Sequence, residues 1–361
     1  MAKEWTKKLI CENGREFLGY SFGADETVVS SLIFSTAMVG YQEALTDPTA
    51  ADLAIVMTYP IVGSYGIADE DNEAKSSLVD ALIVREYNDH PSNFRAKKTL
   101  SEFMKENNIV GISGVDTRSI TRMLRSEGTM RCVLCSPEMT LEEGLELIKS
   151  TPLKTDSVKR VSTKKVYYSR TAESKYNMVI VDLGIKQSVI KLLVKRGCNL
   201  TVVPYNTPAS EIEALKPDGV LFSDGPGSPN DVPETLEAVR ALYNKVPLFG
   251  IGLGHELIAI SRGAKIEEMK VPHLGGNRLA RNLETGKLEA TSQAHMFVVN
   301  RESVENTDLS VILEDVIDKS VEGLKGEKVF SVQYNPEANP GPQDSEYIFD
   351  EFVKMMKGAK D

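Results

Sequence analysis

Between residues 178 and 263, apolar runs of strand length alternate with amphipathic stretches of helix length, and this alternation constrains the fold more than any other feature of the chain. Residues 178–182 read as a short buried strand, 186–196 as a helix closed by Gly197, 200–204 as a strand, 209–215 as a helix and 219–223 as a strand. Residues 234–243 then read as a helix, 246–251 as a strand, and 255–262 as a helix ending at Gly263. Strands and helices alternating through short connections predict a parallel sheet covered on both faces. In such sheets, sites form beyond the carboxyl ends of the strands. Two loops fall there: Ser223-Asp224-Gly225-Pro226-Gly227-Ser228-Pro229 and the turn at Gly252.

That turn is Gly250-Ile251-Gly252-Leu253-Gly254, directly after the apolar run Val246-Pro247-Leu248-Phe249. It has the form of an elbow in which flanking glycines let a strand turn tightly into a helix while the central residue presents a nucleophile. Gly252 tolerates the strained geometry because it has no Cβ, and for the same reason it has nothing with which to attack. The chemistry expected of such a turn is therefore missing its first atom.

The 361 residues suffice for two domains with sizeable cores. A composition of 41% hydrophobic and 26% charged residues is that of a soluble globular protein. The net charge of −10 argues against a nucleic-acid partner and against an anionic membrane surface, since both select a basic face. The start, Met1-Ala2-Lys3-Glu4-Trp5-Thr6-Lys7-Lys8, lacks the apolar stretch of a signal peptide, and no segment approaches the roughly 20 apolar residues of a membrane helix. A cytoplasmic location is the expectation. Cys11, Cys132, Cys135 and Cys198 are too scattered for a disulfide framework. Cys132 and Cys135 spell CxxC, but in a strand-like run positions three apart point to opposite faces, so reduced structural thiols and no metal site are expected.

The first part of the chain, residues 1–150, reads as a mixed α/β domain. Residues 27–34, 53–59 and 78–86 are β-rich, whereas 99–107 and 118–127 read as helices, the second with Asp116 as its N-cap. Residues 151–176 change in character: seven Lys and Arg face only Asp156 and Glu173, with Ser and Thr between them. That stretch reads as a linker or an exposed strand edge with a solvated surface. Residues 177–361 form the second domain.

Several motifs carry a more specific message. In the second domain they are Gly225-Pro226-Gly227, the elbow Phe249 to His255, His273-Leu274-Gly275-Gly276-Asn277, Thr291-Ser292-Gln293-Ala294-His295-Met296-Phe297, and residues 330–342. In the first they are Gly40-Tyr41-Gln42-Glu43-Ala44-Leu45-Thr46-Asp47-Pro48, Thr58-Tyr59-Pro60, Ser92-Asn93-Phe94-Arg95 and Gly114-Val115-Asp116-Thr117-Arg118. With these residues the second domain resembles a class I, triad-type glutamine amidotransferase. Over nearly its full length, the chain is similar to the small-subunit family of carbamoyl phosphate synthetases. The resemblance implies an α/β fold: a mixed α/β N-terminal domain followed by an amidotransferase domain with a mostly parallel, helix-covered sheet. It also implies a large-subunit partner, which would carry the ATP and Mg, with no cofactor in this chain. The family serves arginine and pyrimidine biosynthesis.

In that family the small subunit hydrolyses glutamine and passes ammonia to the large subunit. The chemistry needs a thiolate to attack the side-chain amide, an imidazole to move protons, a carboxylate to orient the imidazole, and backbone N–H groups aimed at the oxyanion. By the resemblance, the thiol position is Gly252, the imidazole position is Asn335, and Glu337 is the retained carboxylate. Glutamine-binding positions carry over to Thr49, Gly225, Gly227, Leu253, Glu256, Ala294, Met296 and Phe297. Glu256 stands where the family has Gln, Ala294 where it has Asn, and Met296 where it has Gly. Each buried hydrogen-bonding partner lost costs about 1 to 3 kcal/mol, so two or more such losses weaken a glutamine site severely.

The expected function is a non-catalytic small subunit, a pseudoenzyme that partners an ammonia-using large subunit. Two alternatives stand beside it. One is a working glutaminase or altered amide hydrolase, for instance with His295 and Glu337 activating water. The other is a regulator that senses an amine-bearing metabolite through Glu256. His255, His273 and His90 are expected to be structural.

Overall fold

The computed structural model describes residues 4–359, so Met1 to Lys3 of the amino-terminal stretch lie outside the described residues. The chain divides into two compact units, Met1–Lys154 with Lys270–Leu274, and Thr155–Met269 with Gly275–Asp361. Among the described residues no helix is long and apolar enough to cross a membrane.

The first unit contains β1 (Lys7–Cys11), β2 (Glu16–Gly23), β3 (Val28–Ser35), α1 (Tyr41–Thr46), β4 (Leu53–Met57), β5 (Ile61–Val62), β6 (Ala81–Ile83), β7 (Glu86–Tyr87), α2 (Leu100–Glu106), β8 (Val110–Ser113), α3 (Thr117–Glu127), β9 (Met130–Cys135) and α4 (Leu141–Ser150). Seven strands close a barrel in the order β1-β2-β8-β6-β4-β3-β9, while β5 and β7 pair separately. Strand periodicity fills the barrel: Leu32 and Phe34, Ala54 and Val56, and Cys132 and Leu134 share one core cluster. Cys135 joins a different cluster with Ile10 and Ile148, so the CxxC pair does face opposite ways. Of the expected strand 78–86, only Ala81–Ile83 enters the barrel, and Glu86–Tyr87 turns away to pair with β5. The two expected helices form with their caps in place, Thr99 closing a capping box with Glu102 on α2 and Asp116 accepting from the Ser119 N–H on α3.

The second unit contains α5 (Ser157–Val161), β10 (Tyr167–Ser169), β11 (Tyr176–Asp182), α6 (Gln187–Lys195), β12 (Cys198–Pro204), α7 (Ala209–Ala214), β13 (Gly219–Phe222), α8 (Pro233–Leu242), β14 (Leu248–Ile251), α9 (Leu253–Ser261), β15 (Ile266–Asn282, except Lys270–Leu274, which count with the first unit), β16 (Leu288–Val299), α10 (Arg301–Val304), β17 (Ser310–Asp315), β18 (Val321–Gly326), β19 (Val329–Val332) and α11 (Ile348–Gly358). Ten strands form one sheet in the order β10-β12-β11-β13-β14-β19-β18-β17-β15-β16. From β12 to β19 neighbouring strands run parallel, and beyond β19 the sheet continues antiparallel through β18 and β17. The alternation in the sequence thus corresponds to the parallel core, and the antiparallel wing is an addition that periodicity did not reveal. The stretch 151–176 holds α5 and β10, with β10 pairing antiparallel to β12 as the edge strand of the sheet.

Alternate residues of the parallel strands supply two cores, one on each face. Val179, Val181, Val220 and Phe222 pack with Ile212 of α7, Val239 of α8 and Leu257 of α9. Met178, Ile180 and Leu221 pack with Leu193 of α6 and with Phe349 and Phe352 of α11. Two greasy faces explain why these strands are almost uninterrupted apolar runs. The order β12-β11-β13-β14 reverses direction between β11 and β13, and the carboxyl ends of β11, β13, β14 and β19 bring their loops to one edge.

Candidate active site

At that edge β14 turns into α9 through Gly252, whose φ of 51° and ψ of −111° are a conformation that only glycine adopts without strain. Two residues on, a Cβ at Gly254 would overlap the backbone oxygen of Phe222 at the end of β13. The glycines thus serve one close-packed crossing, in which α9 leaves the sheet directly against β13. The Gly252 N–H donates to the Val332 carbonyl of β19 at 2.9 Å, tying the turn to the neighbouring strand.

The loop after β13 meets this turn. Ser223 Oγ accepts the Leu183 N–H at 2.9 Å and donates to the Asp224 carbonyl at 2.8 Å, which fixes the backbone on either side of the strand end. The Asp224 side chain then points at the elbow: its Oδ1 accepts the Leu253 N–H at 3.0 Å and the Gly225 N–H at 2.8 Å. A Cβ built on Gly252 would overlap Asp224 Oδ1 and Cγ and stand 2.6 Å from Oδ2. The space of a nucleophilic side chain is filled by the carboxylate of another residue.

The segment after β19 brings Asn335 and Glu337 to the same edge. Asn335 is buried, its N–H donates to the Ser292 carbonyl at 2.9 Å, and its side-chain oxygen has no hydrogen-bond partner among the described residues. An amide at this position does not titrate near neutral pH, so it cannot take the proton of a nucleophile. Glu337 is buried too and forms an ion pair with Lys186, Nζ to Oε1 2.8 Å, while the same Nζ donates to the Asn339 carbonyl at 2.8 Å. The carboxylate position is therefore occupied as expected, but its charge faces an ammonium rather than an imidazole.

Both nearby histidines are engaged elsewhere. His255 is fully buried on α9 with Nδ1 2.9 Å from Ser331 Oγ, and burial pushes it down to about 3, so it is neutral. His295 places Nδ1 2.7 Å from the Phe297 carbonyl and Nε2 2.8 Å from Gln293 Oε1. For the alternative in which His295 and Glu337 activate water, His295 would have to exchange one of these partners for the water. Glu256, offered above as an amine sensor, is buried against Gln333, whose Nε2 donates to its Oε1 at 3.0 Å. Burial lifts its carboxyl to about 8, so near pH 7 it is predominantly neutral and presents no charge to an amine.

The remaining positions divide by location. Gly225 and Leu253 meet at the Asp224 carboxylate, and Gly227 follows in the same loop with φ 84°. On β16, alternation sends Ala294 and Met296 to one face and Phe297 with His295 to the other, so the three do not form one wall. Thr49 lies in the first unit, buried in a short 3-10 turn, where its hydroxyl donates to Asp47 Oδ1 at 2.8 Å. No thiol replaces the missing one: all four cysteines are buried, and burial raises Cys198 to about 11 and Cys11 to about 12. The sequence reading missed Asp224 and Lys186 as members of the site. The available signal for Asp224 was a charged residue between a buried strand and Gly-Pro-Gly.

Comparison with known proteins bears on the family of the chain. Residues 9–134 match the family described as carbamoyl-phosphate synthase small chain, CPSase domain, and residues 179–355 match glutamine amidotransferase class-I. A carbamoyl phosphate synthase small chain from Staphylococcus epidermidis is 45% identical over 98% of this chain and 96% of its own. One from Listeria monocytogenes is 44% identical over 98% of this chain and 97% of its own. A protein described as the pyrimidine-specific small chain, from Halalkalibacterium halodurans, is 44% identical over 98% of each.

Proposed function

The chain belongs to the carbamoyl phosphate synthase small-chain family, and from that membership we propose that it is a non-catalytic small chain, the partner of a large chain that uses free ammonia. The observation that carries this reading is the pair Gly252 and Asn335, which leaves the elbow without a nucleophile and without a base. The surroundings support it. All four cysteines are buried and held as thiols by that burial, His255 is neutral and turned to Ser331, and Glu337 is paired with Lys186. The first unit supports a retained partner, because the small-chain family match runs through its barrel from residue 9 to residue 134. ATP and Mg belong, in this reading, to the large chain, and the product is carbamoyl phosphate for arginine or pyrimidine formation in the cytoplasm.

The test is to mix the purified chain with the large chain from the same genome and follow carbamoyl phosphate synthesis from ammonia and from glutamine in parallel. Synthesis from ammonia should proceed. Glutamine-dependent synthesis should be lower by on the order of a millionfold than for an intact triad, which places it at background. Ammonia release from glutamine above background would refute the reading, as would failure of the two chains to co-purify at micromolar concentration.

A further inference from the structure

We propose that Asp224 is an intramolecular ligand of the elbow, a carboxylate held on the two amides of Leu253 and Gly225, and that the chain therefore contains a small-carboxylate binding site occupied by its own side chain. The proposal deepens the reading above and rests on it for one point, that these amides are the ones a triad amidotransferase aims at its oxyanion. Three observations converge. A single oxygen, Oδ1, accepts from both N–H groups at 3.0 and 2.8 Å. The Leu253 amide opens α9, a nine-residue helix whose amino-terminal dipole favours an anion. Finally, a Cβ at position 252 would overlap the carboxylate where it now sits, so a side chain there requires Asp224 to leave the two amides.

The pairing explains more than a lost nucleophile does. Without Asp224 the buried Leu253 N–H and the half-buried Gly225 N–H would lose their acceptor, which is costly for the buried one. Asp224 satisfies them within the chain and, by filling the same volume, excludes an amide carbonyl from the donors that would polarise it. Glutamine is thus denied the hole as well as the thiol. Reinstalling cysteine alone requires the Asp224 side chain to swing off the two amides, which then lose their acceptor.

The experiment compares the wild-type chain with Asp224→Ala, Gly252→Cys and the double variant by thermal unfolding, each in formate and in matched chloride. Formate carries the carboxylate that Asp224→Ala removes. Asp224→Ala should melt roughly 3 °C or more lower in chloride, and formate should raise it back saturably while leaving the wild-type chain unchanged. Gly252→Cys should melt well below wild type, and adding Asp224→Ala should recover part of that loss, so the two substitutions are non-additive. If Gly252→Cys does not fold, the formate response of Asp224→Ala decides alone. An unaltered melting point for Asp224→Ala, or an equal formate effect in both proteins, overturns the proposal. These readouts are independent of ammonia release, so an active glutaminase and a misassigned Asp224 would be recognised separately.

Discussion

Glu256 and His255 are neighbours on α9 that burial pushes in opposite directions. Glu256 keeps its proton in the folded chain up to about pH 8 against an ordinary 4.5, and His255 stays neutral down to about pH 3 against an ordinary 6.5. For Glu256 the folded state binds more protons than the unfolded one between 4.5 and 8, so stability falls as pH rises through that window, by about 1.4 kcal/mol per unit. For His255 the unfolded state binds more protons below 6.5, so stability falls as pH drops from 6.5 toward 3. Between 4.5 and 6.5 the two slopes cancel, which leaves a plateau from this pair. Glu256→Gln keeps the acceptor for Gln333 and removes the titration. We predict that its melting temperature separates upward from wild type as pH rises from 6 toward 8, by an amount equivalent to about 2 kcal/mol. Parallel curves from pH 5 to 9 would show that Glu256 titrates normally.

At the scale of elements, the Lys186–Glu337 pair joins the start of α6 to the segment that follows β19. Both side chains are almost wholly inaccessible, so removing one partner strands a charge where water cannot reach it. Lys186→Met should destabilise the chain by about 3 to 5 kcal/mol in urea unfolding, whereas Lys186→Met combined with Glu337→Leu should recover most of that loss. Equal losses in the single and double variants would mean that the ion pair is not the source. The same region shows what the sequence can and cannot disclose. The parallel core was legible because strands buried on both faces leave continuous apolar runs, and the elbow was legible because its glycines are fixed by close packing. The barrel closure and the antiparallel wing were not. Both depend on pairings between distant strands, and the 17-residue strand β15, only part of it buried, contains a His-Leu-Gly-Gly-Asn stretch that resembles a loop. Gly252, Asn335 and Glu337 could be placed because they occupy motif positions. Asp224 and Lys186 were not, since the partner of a loop side chain depends on which other loops the folded sheet brings beside it.

For the molecule as a whole, a non-catalytic small chain and a working one differ in which ligands they respond to. A ligand that binds the folded chain raises its stability by RT ln(1 + [L]/Kd), about 2.7 kcal/mol at a hundredfold excess over Kd. On the proposed reading Asp224 closes the Leu253 and Gly225 amides to millimolar glutamine, and the Ala294 side chain offers it no hydrogen bond. It should therefore leave the melting temperature within error. On the proposed reading a large chain would dock on surface away from the elbow, so adding it in excess should raise the melting temperature by several degrees, an increment that the Gly252, Asp224 and Glu256 substitutions should leave intact. Saturable stabilisation by glutamine would show that the pocket still recognises its amide and carboxylate despite the changes at its edge. The absence of any shift with the large chain would remove the partner role and leave the family fold without the family's assembly. Because the two additions probe different parts of one chain, their four combinations separate a lost chemistry from a lost complex.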